Sequence, residues 1–158
     1  MSRSQLLLDS EPATPQQLVG ATADLTTRQG AQYTAELIRG YHAGRLVLRP
    51  AGVWVQLDAA DVISGVTHDA TPHADTRTVQ LPDRGTSRSY EGITIRTVTL
   101  VWTCPACDRP RGEPRISRLP EDGEHYYVHT WRNACGHNDL YTCCLVEAGC
   151  HPARPVDA

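Results

Sequence analysis

The chain of 158 residues has no lysine; all 15 of its basic residues are arginine. Codon usage in a GC-rich, bacterial-like genome accounts for that zero, yet its chemical consequence stands. No side-chain amine is present to form a Schiff base with a carbonyl or with pyridoxal phosphate. No P-loop or kinase-type lysine can reach a nucleotide phosphate. Phenylalanine is missing too. The core must come from leucine, valine, isoleucine, tyrosine and three tryptophans, Trp54, Trp102 and Trp131. Such a core is small, and a staple would strengthen it. No apolar run approaches the length of a membrane span. The opening Met1–Asp9 has three leucines and then an acid, too short for the core of a signal peptide. These absences predict a cytoplasmic chain with no membrane contact. The net charge of −3 and pI of about 6.1 lack the basic excess of a general nucleic-acid binder.

Cysteine is absent from the first 103 residues, and all six cysteines fall between Cys104 and Cys150. That asymmetry predicts an N-terminal region over 1–92, a cysteine-bearing β region over 93–150 and a loose tail over 151–158. In the first region Thr14-Pro15-Gln16-Gln17 reads as a helix start, and Leu18, Ala21 and Leu25 follow at helical spacing. A second helix is expected over residues 31–38, with Tyr33, Leu37 and Ile38 on one side and Gly40 as its stop. Residues 45–49 and 53–57 read as strands of a hairpin, and Asp58 to Gly65 as a capped helical turn. Residues 76–81 are expected to pair with chain beyond the turn Pro82–Gly85. The β-branched run from Ile93 to Trp102 reads as a strand leading straight into Cys104. Arg115–Leu119 and His125–Trp131 form a further hairpin around Pro120–Gly123, and Asp139–Val146 a last strand. The fold class expected is therefore α+β: N-terminal helices and a β-hairpin, then antiparallel β-structure.

Two short motifs carry chemistry. Trp102-Thr103-Cys104-Pro105-Ala106-Cys107 places two thiols on one side of a tight turn, at a spacing that tetrahedral zinc accepts. Asn133-Ala134-Cys135-Gly136-His137 brings two more donors together across a glycine that permits a sharp bend. Over residues 101–146 these turns, joined by strands, resemble a zinc ribbon. The resemblance implies one structural zinc ion held by Cys104, Cys107, Cys135 and His137. Zinc ribbons usually repeat Cys-x-x-Cys, whereas the second turn here is Cys-x-His. The fourth ligand thus stays open among His137, Cys143, Cys144, Cys150, His125 and His129. A redox Cys-x-x-Cys should open a helix, but Asp108-Arg-Pro-Arg-Gly-Glu-Pro114 follows. A zinc deaminase needs His-x-Glu, which the chain lacks. For a catalytic zinc, Glu124, Asp139 and Glu147 are candidate bases with nothing to single one out. His68, Asp69, His73 and Asp75 form a second polar cluster that reads as a solvated loop.

From Arg84 to Arg118 seven arginines stand against three acids. Arginine suits bidentate recognition of phosphate or carboxylate. Arg109, Arg111, Arg115 and Arg118, with Trp131, are the candidate partner-binding residues, in a tract expected to be exposed. The leading expectation is a zinc-stabilised, non-catalytic binding or adaptor protein with a protein partner. A nucleic-acid-binding regulator using the arginine stretch, and a small zinc-dependent hydrolase, are the alternatives.

Overall fold

The structure, a computed structural model, describes residues 3–5, 15–68, 73–87 and 89–153. In chain order it runs β1 (Arg3–Gln5), α1 (Pro15–Leu18), β2 (Thr22–Thr27), β3 (Gln32–Leu37), β4 (Gly40–His42), β5 (Arg45–Leu48), β6 (Val55–Asp58), β7 (Val62–His68), β8 (Thr76–Asp83), β9 (Thr94–Val101), β10 (Arg115–Glu121), β11 (Glu124–Thr130) and α2 (Tyr141–Ala148). The strands form a four-stranded sheet in the order β1-β7-β2-β3, a three-stranded sheet β4-β5-β6, and the hairpins β8-β9 and β10-β11. Every strand pairing is antiparallel.

This architecture overturns the expectation of N-terminal helices. Thr14 lies outside the described residues. Pro15 does open a helical turn, with Val19 N–H on the Pro15 carbonyl at 2.8 Å. The turn ends after four residues, where Gly20 gives its N–H to the Ile38 carbonyl instead. Leu25 belongs to a two-residue alternation, with Ala23, Leu25 and Thr27 buried along β2. The second expected helix is strand β3, paired with β2. A bulge between Ala23 and Leu25 and a left-handed Ala35, at φ 52°, break its alternation. That irregularity is why Tyr33, Leu37 and Ile38 mimic a helical stripe. The turn expected from Asp58 is one turn of 3-10 helix that runs into β7, a strand between β1 and β2. Its β-branched Val62, Ile63, Val66 and Thr67 favour extended backbone.

The opposite error occurs at the other end, where the expected strand over residues 139–146 is helix α2. Tyr141, Cys144, Leu145 and Ala148 recur at the helical period and pack on one apolar cluster. Gly149 closes the helix in the left-handed conformation. The three expected hairpins are present as β5-β6, β8-β9 and β10-β11.

Two apolar clusters hold the chain together. Leu18, Ala23, Leu25, Ile38, Leu46 and Leu48 fill one, between the first two sheets. Val79, Leu81, Val98, Leu100 and Trp102 meet α2 in the other. The N-terminal end of the tail is held: Gln56 donates to the His151 carbonyl at 2.8 Å and accepts from Ala153 N–H at 3.1 Å. Residues 154–158 lie outside the described residues. Among the described residues no helix is long and apolar enough to cross a membrane.

Asp83, only 4% exposed at the end of β8, ties this cluster to His151. Its carboxylate accepts from Gly85 N–H at 2.8 Å and Arg96 Nε at 3.0 Å, with His151 Nε2 at 2.8 Å. Burial pushes its pKa up, but the bonds from His151, Gly85 and Arg96 outweigh that and hold it below the ordinary value. A carboxylate depressed in the folded state contributes stability that is present above the unfolded pKa, near about 4, and is lost as pH falls through the folded value. Urea midpoints measured between pH 6 and pH 2.5, at about half-unit steps, are expected to fall more steeply below about pH 4 for the wild type than for Asp83→Asn. Parallel curves would refute this role.

Candidate metal centre

Strand β9 ends at Val101, and the chain enters the first cysteine turn through Trp102 and Thr103. The turn is closed by backbone bonds: Cys104 N–H to the Arg109 carbonyl at 2.7 Å, and Asp108 N–H to the Cys104 carbonyl at 2.8 Å. A β-bridge between Thr103 and Pro110 secures its base. Pro105 offers no N–H to the sulfur, but the next two residues do. The amides of Ala106 and Cys107 point at the Cys104 sulfur. Burial nonetheless pushes the Cys104 thiol up, and contacts with Cys107 and Cys135 act in the same direction.

The second turn follows β11. Gly136 adopts φ 86°, the left-handed bend expected between the two donors. The backbone and side chain of His137 both bond to the Cys135 sulfur. They bring its pKa down to about 7 against a smaller opposing effect of burial. A low thiol pKa eases formation of the thiolate that binds metal.

The two turns converge. The donor atoms of Cys104, Cys107, Cys135 and His137 all lie within 4.8 Å of one another, and they are the one such group among the described residues. In a tetrahedral zinc site with bonds near 2.3 Å, sulfur atoms stand about 3.8 Å apart. The four side chains therefore need only a small inward movement to close on an ion. Cys143, Cys144 and Cys150, kept open as substitute ligands, lie outside this group. Cys143 is exposed on α2, while Cys144 and Cys150 pack in or against the apolar cluster. Burial pushes the thiols of Cys144 and Cys150 up. His125 bonds to Arg118, and His129 Nδ1 accepts the Gln80 N–H at 2.8 Å. All six cysteines are free thiols. In the second polar cluster, Asp69 lies outside the described residues, His68 faces Asp24 at 2.8 Å, and His73 bonds to the Ala74 carbonyl.

A buried polar network braces the two turns. Asn133 holds the second one: its Nδ2 donates to the His137 carbonyl at 3.0 Å and to Asp139 at 2.8 Å. Its Oδ1 accepts Gly112 N–H at 3.1 Å. Only glycine fits at 112, because an added Cβ would sit 1.9 Å from the Arg132 carbonyl oxygen. Arg111, 5% exposed, lies under both turns. It donates to Asp139 at 3.0 Å, to Glu147 at 2.8 Å and to the Val101 carbonyl at 2.9 Å. Arg39, from the other end of the chain, donates to the Thr103 carbonyl at 2.8 Å and reaches Glu147 at 3.4 Å. Burial works against the charge on Asp139, but Arg111 and bonds from Trp131 and Asn133 hold its pKa low.

This network corrects the reading of Arg111 as an exposed partner contact. A lone buried charge is costly, and here two carboxylates neutralise it. Asp139 and Glu147 are accordingly bound to arginine. Arg109, Arg115 and Arg118 are exposed. Trp131 is half-buried against Trp102, with ring centroids 4.9 Å apart, and donates to Asp139 at 2.7 Å. Arg115, Trp131, Arg132 and Glu113 line an open groove of about 560 Å³.

No known protein family, characterised protein or solved structure matches the chain. The likeness to a zinc ribbon rests on the ligand cluster alone: three thiols and an imidazole that could hold a metal ion, on an antiparallel β scaffold.

Proposed function

We propose that the chain is a zinc-stabilised, non-catalytic binding module that engages another protein. The observation carrying this reading is the convergence of Cys104, Cys107, Cys135 and His137. Three thiols and one imidazole form a donor set characteristic of structural zinc. Four protein ligands also fill a tetrahedral ion, leaving no position for an activated water, which weighs against the hydrolase alternative. A reducing compartment such as the cytosol suits thiols that must stay unoxidised.

The preference for a protein partner draws support from the outer face of the hairpin β10-β11. Ile116 is 67% exposed and Tyr127 60% exposed there. Arg118, directly opposite Tyr127, is exposed beside them. Exposed apolar and aromatic side chains bordered by arginine are what protein interfaces use. The arginine stretch offers less to nucleic acid than its count suggests. Arg84 is bonded to Glu121, Arg96 to Asp83 and Arg111 to Glu147. We expect the wild-type chain to retain a specific protein from extracts of its source cells, and Ile116→Glu/Tyr127→Ser to lose it. Binding of single-stranded oligonucleotides with a steep salt dependence, unaffected by that variant, would favour the nucleic-acid alternative.

A further inference from the structure

We propose that Arg39 and Arg49 form an oxyanion site in a cavity bounded by β3, the β5-β6 connection and the first cysteine turn. This site would take the carboxylate or phosphate group of a small molecule. It lies outside the metal cluster, and the proposal does not depend on the partner suggested above.

The cavity measures about 430 Å³ and is lined by Leu37, Arg39, Arg49, Gly52 and Pro105, with Glu36 and Asp108 among its remaining walls. Arg39 is 3% exposed. Its Nη2 is taken by the Thr103 carbonyl and, at 3.4 Å, by Glu147, while its Nε is buried with no protein acceptor. Arg49 has a buried Nε with no protein acceptor either. Its guanidinium lies over the Trp54 ring, 4.4 Å from the centroid. Among the described residues no carboxylate comes within ion-pair distance of it, whereas Arg84 and Arg96 each have one and Arg111 has two.

A buried donor with no acceptor keeps the desolvation cost that a hydrogen bond would offset. Both side chains line the cavity, so an oxyanion entering it would meet two guanidinium groups whose hydrogen-bonding capacity is not used up within the protein. The contact with Trp54 restrains the Arg49 guanidinium, whose fork suits a two-point contact with a carboxylate or phosphate. Glu36 and Asp108 shape the preference. Their charges disfavour an extended polyanion, such as a nucleic-acid backbone, and favour a small ligand whose negative charge sits on one group.

Titration of the full-length, metal-loaded chain with inorganic phosphate and, separately, with succinate tests this, followed by calorimetry and by tryptophan emission at constant ionic strength. Saturable binding of at least one probe is expected, with a Kd of about 1 mM or tighter. Arg49→Gln should weaken it by about tenfold or more, as expected for losing a charge-assisted contact. Arg49→Lys, which keeps the charge and removes the fork, should weaken it severalfold and serves as the decisive variant if Arg49→Gln does not fold. Arg132→Gln, in the separate groove, should bind as the wild type does. Phosphate binding alone or succinate binding alone supports the site and assigns its group. Saturation by neither probe, or equal binding by the wild type and both Arg49 variants, overturns it.

Discussion

Replacing Cys135 with serine is expected to remove one equivalent of zinc from the purified chain and to lower its melting temperature by roughly 10 °C or more. Zinc binding in small metal-dependent folds is worth about 10–16 kcal/mol before the cost of ordering the chain. Here two apolar clusters support the fold as well, so only part of that is net stability. Even about 4 kcal/mol, at roughly 2–4 °C per kcal/mol for a chain of this size, gives a shift of that order. Cys135 is the cleaner position because it is half-exposed, whereas Cys104 is buried and a substitution there would also disturb the packing around the first turn. Cys104→Ser should lose the ion too, and a chelator should reproduce the thermal shift in the wild type. Metal analysis decides the matter: one equivalent of zinc persisting in both serine variants would refute the ligand assignment.

Glu147→Ala should destabilise the folded chain by about 3–5 kcal/mol. The substitution leaves Arg39 and Arg111, 3% and 5% exposed, with only Asp139 among the described residues in ion-pair contact with either of them. Most of the loss is the penalty of a stranded buried charge rather than the worth of the pair. Replacing both partners with apolar residues, as in Arg111→Met/Glu147→Leu, should recover little of the stability that Glu147→Ala loses, because it strands Arg39, whose ion pair is with Glu147, and Asp139, whose ion pair is with Arg111. Urea midpoints of the single and double variants test this. A loss below about 1 kcal/mol in Glu147→Ala would show that the network carries little.

The metal ligands were legible because their chemistry constrains their spacing: Cys-x-x-Cys and Cys-x-His each lie within one turn. Hairpins were legible too, since each has its turn residues in sequence between two β-branched runs. Most of the bracing network was not. Arg39, Arg111 and Glu147 are distant in sequence and meet only when the residue before β4, the chain after the first cysteine turn and α2 pack together. No local pattern marks an arginine as buried, so Arg111 resembled its exposed neighbours Arg109 and Arg115. Errors in the elements have a common origin. β3 hides its period of two behind a bulge and a left-handed alanine. Conversely, α2 is short and carries Tyr141, Thr142 and Val146, residues that favour strands when read one at a time. Its decisive marker is Gly149, whose meaning depends on the helix before it.

The two cysteine turns flank the hairpin β10-β11, and this position has a consequence for the chain as a connected object. An ion held between them would close the intervening segment into a loop whose tip is the exposed turn at Asp122 and Gly123. A cut at that tip would sever the backbone without releasing either fragment, because the ion, the Asn133–Gly112 bond and the Arg111–Glu147 pair all join one side of the cut to the other. An exposed arm of the molecule is thus one whose covalent continuity its assembly could do without.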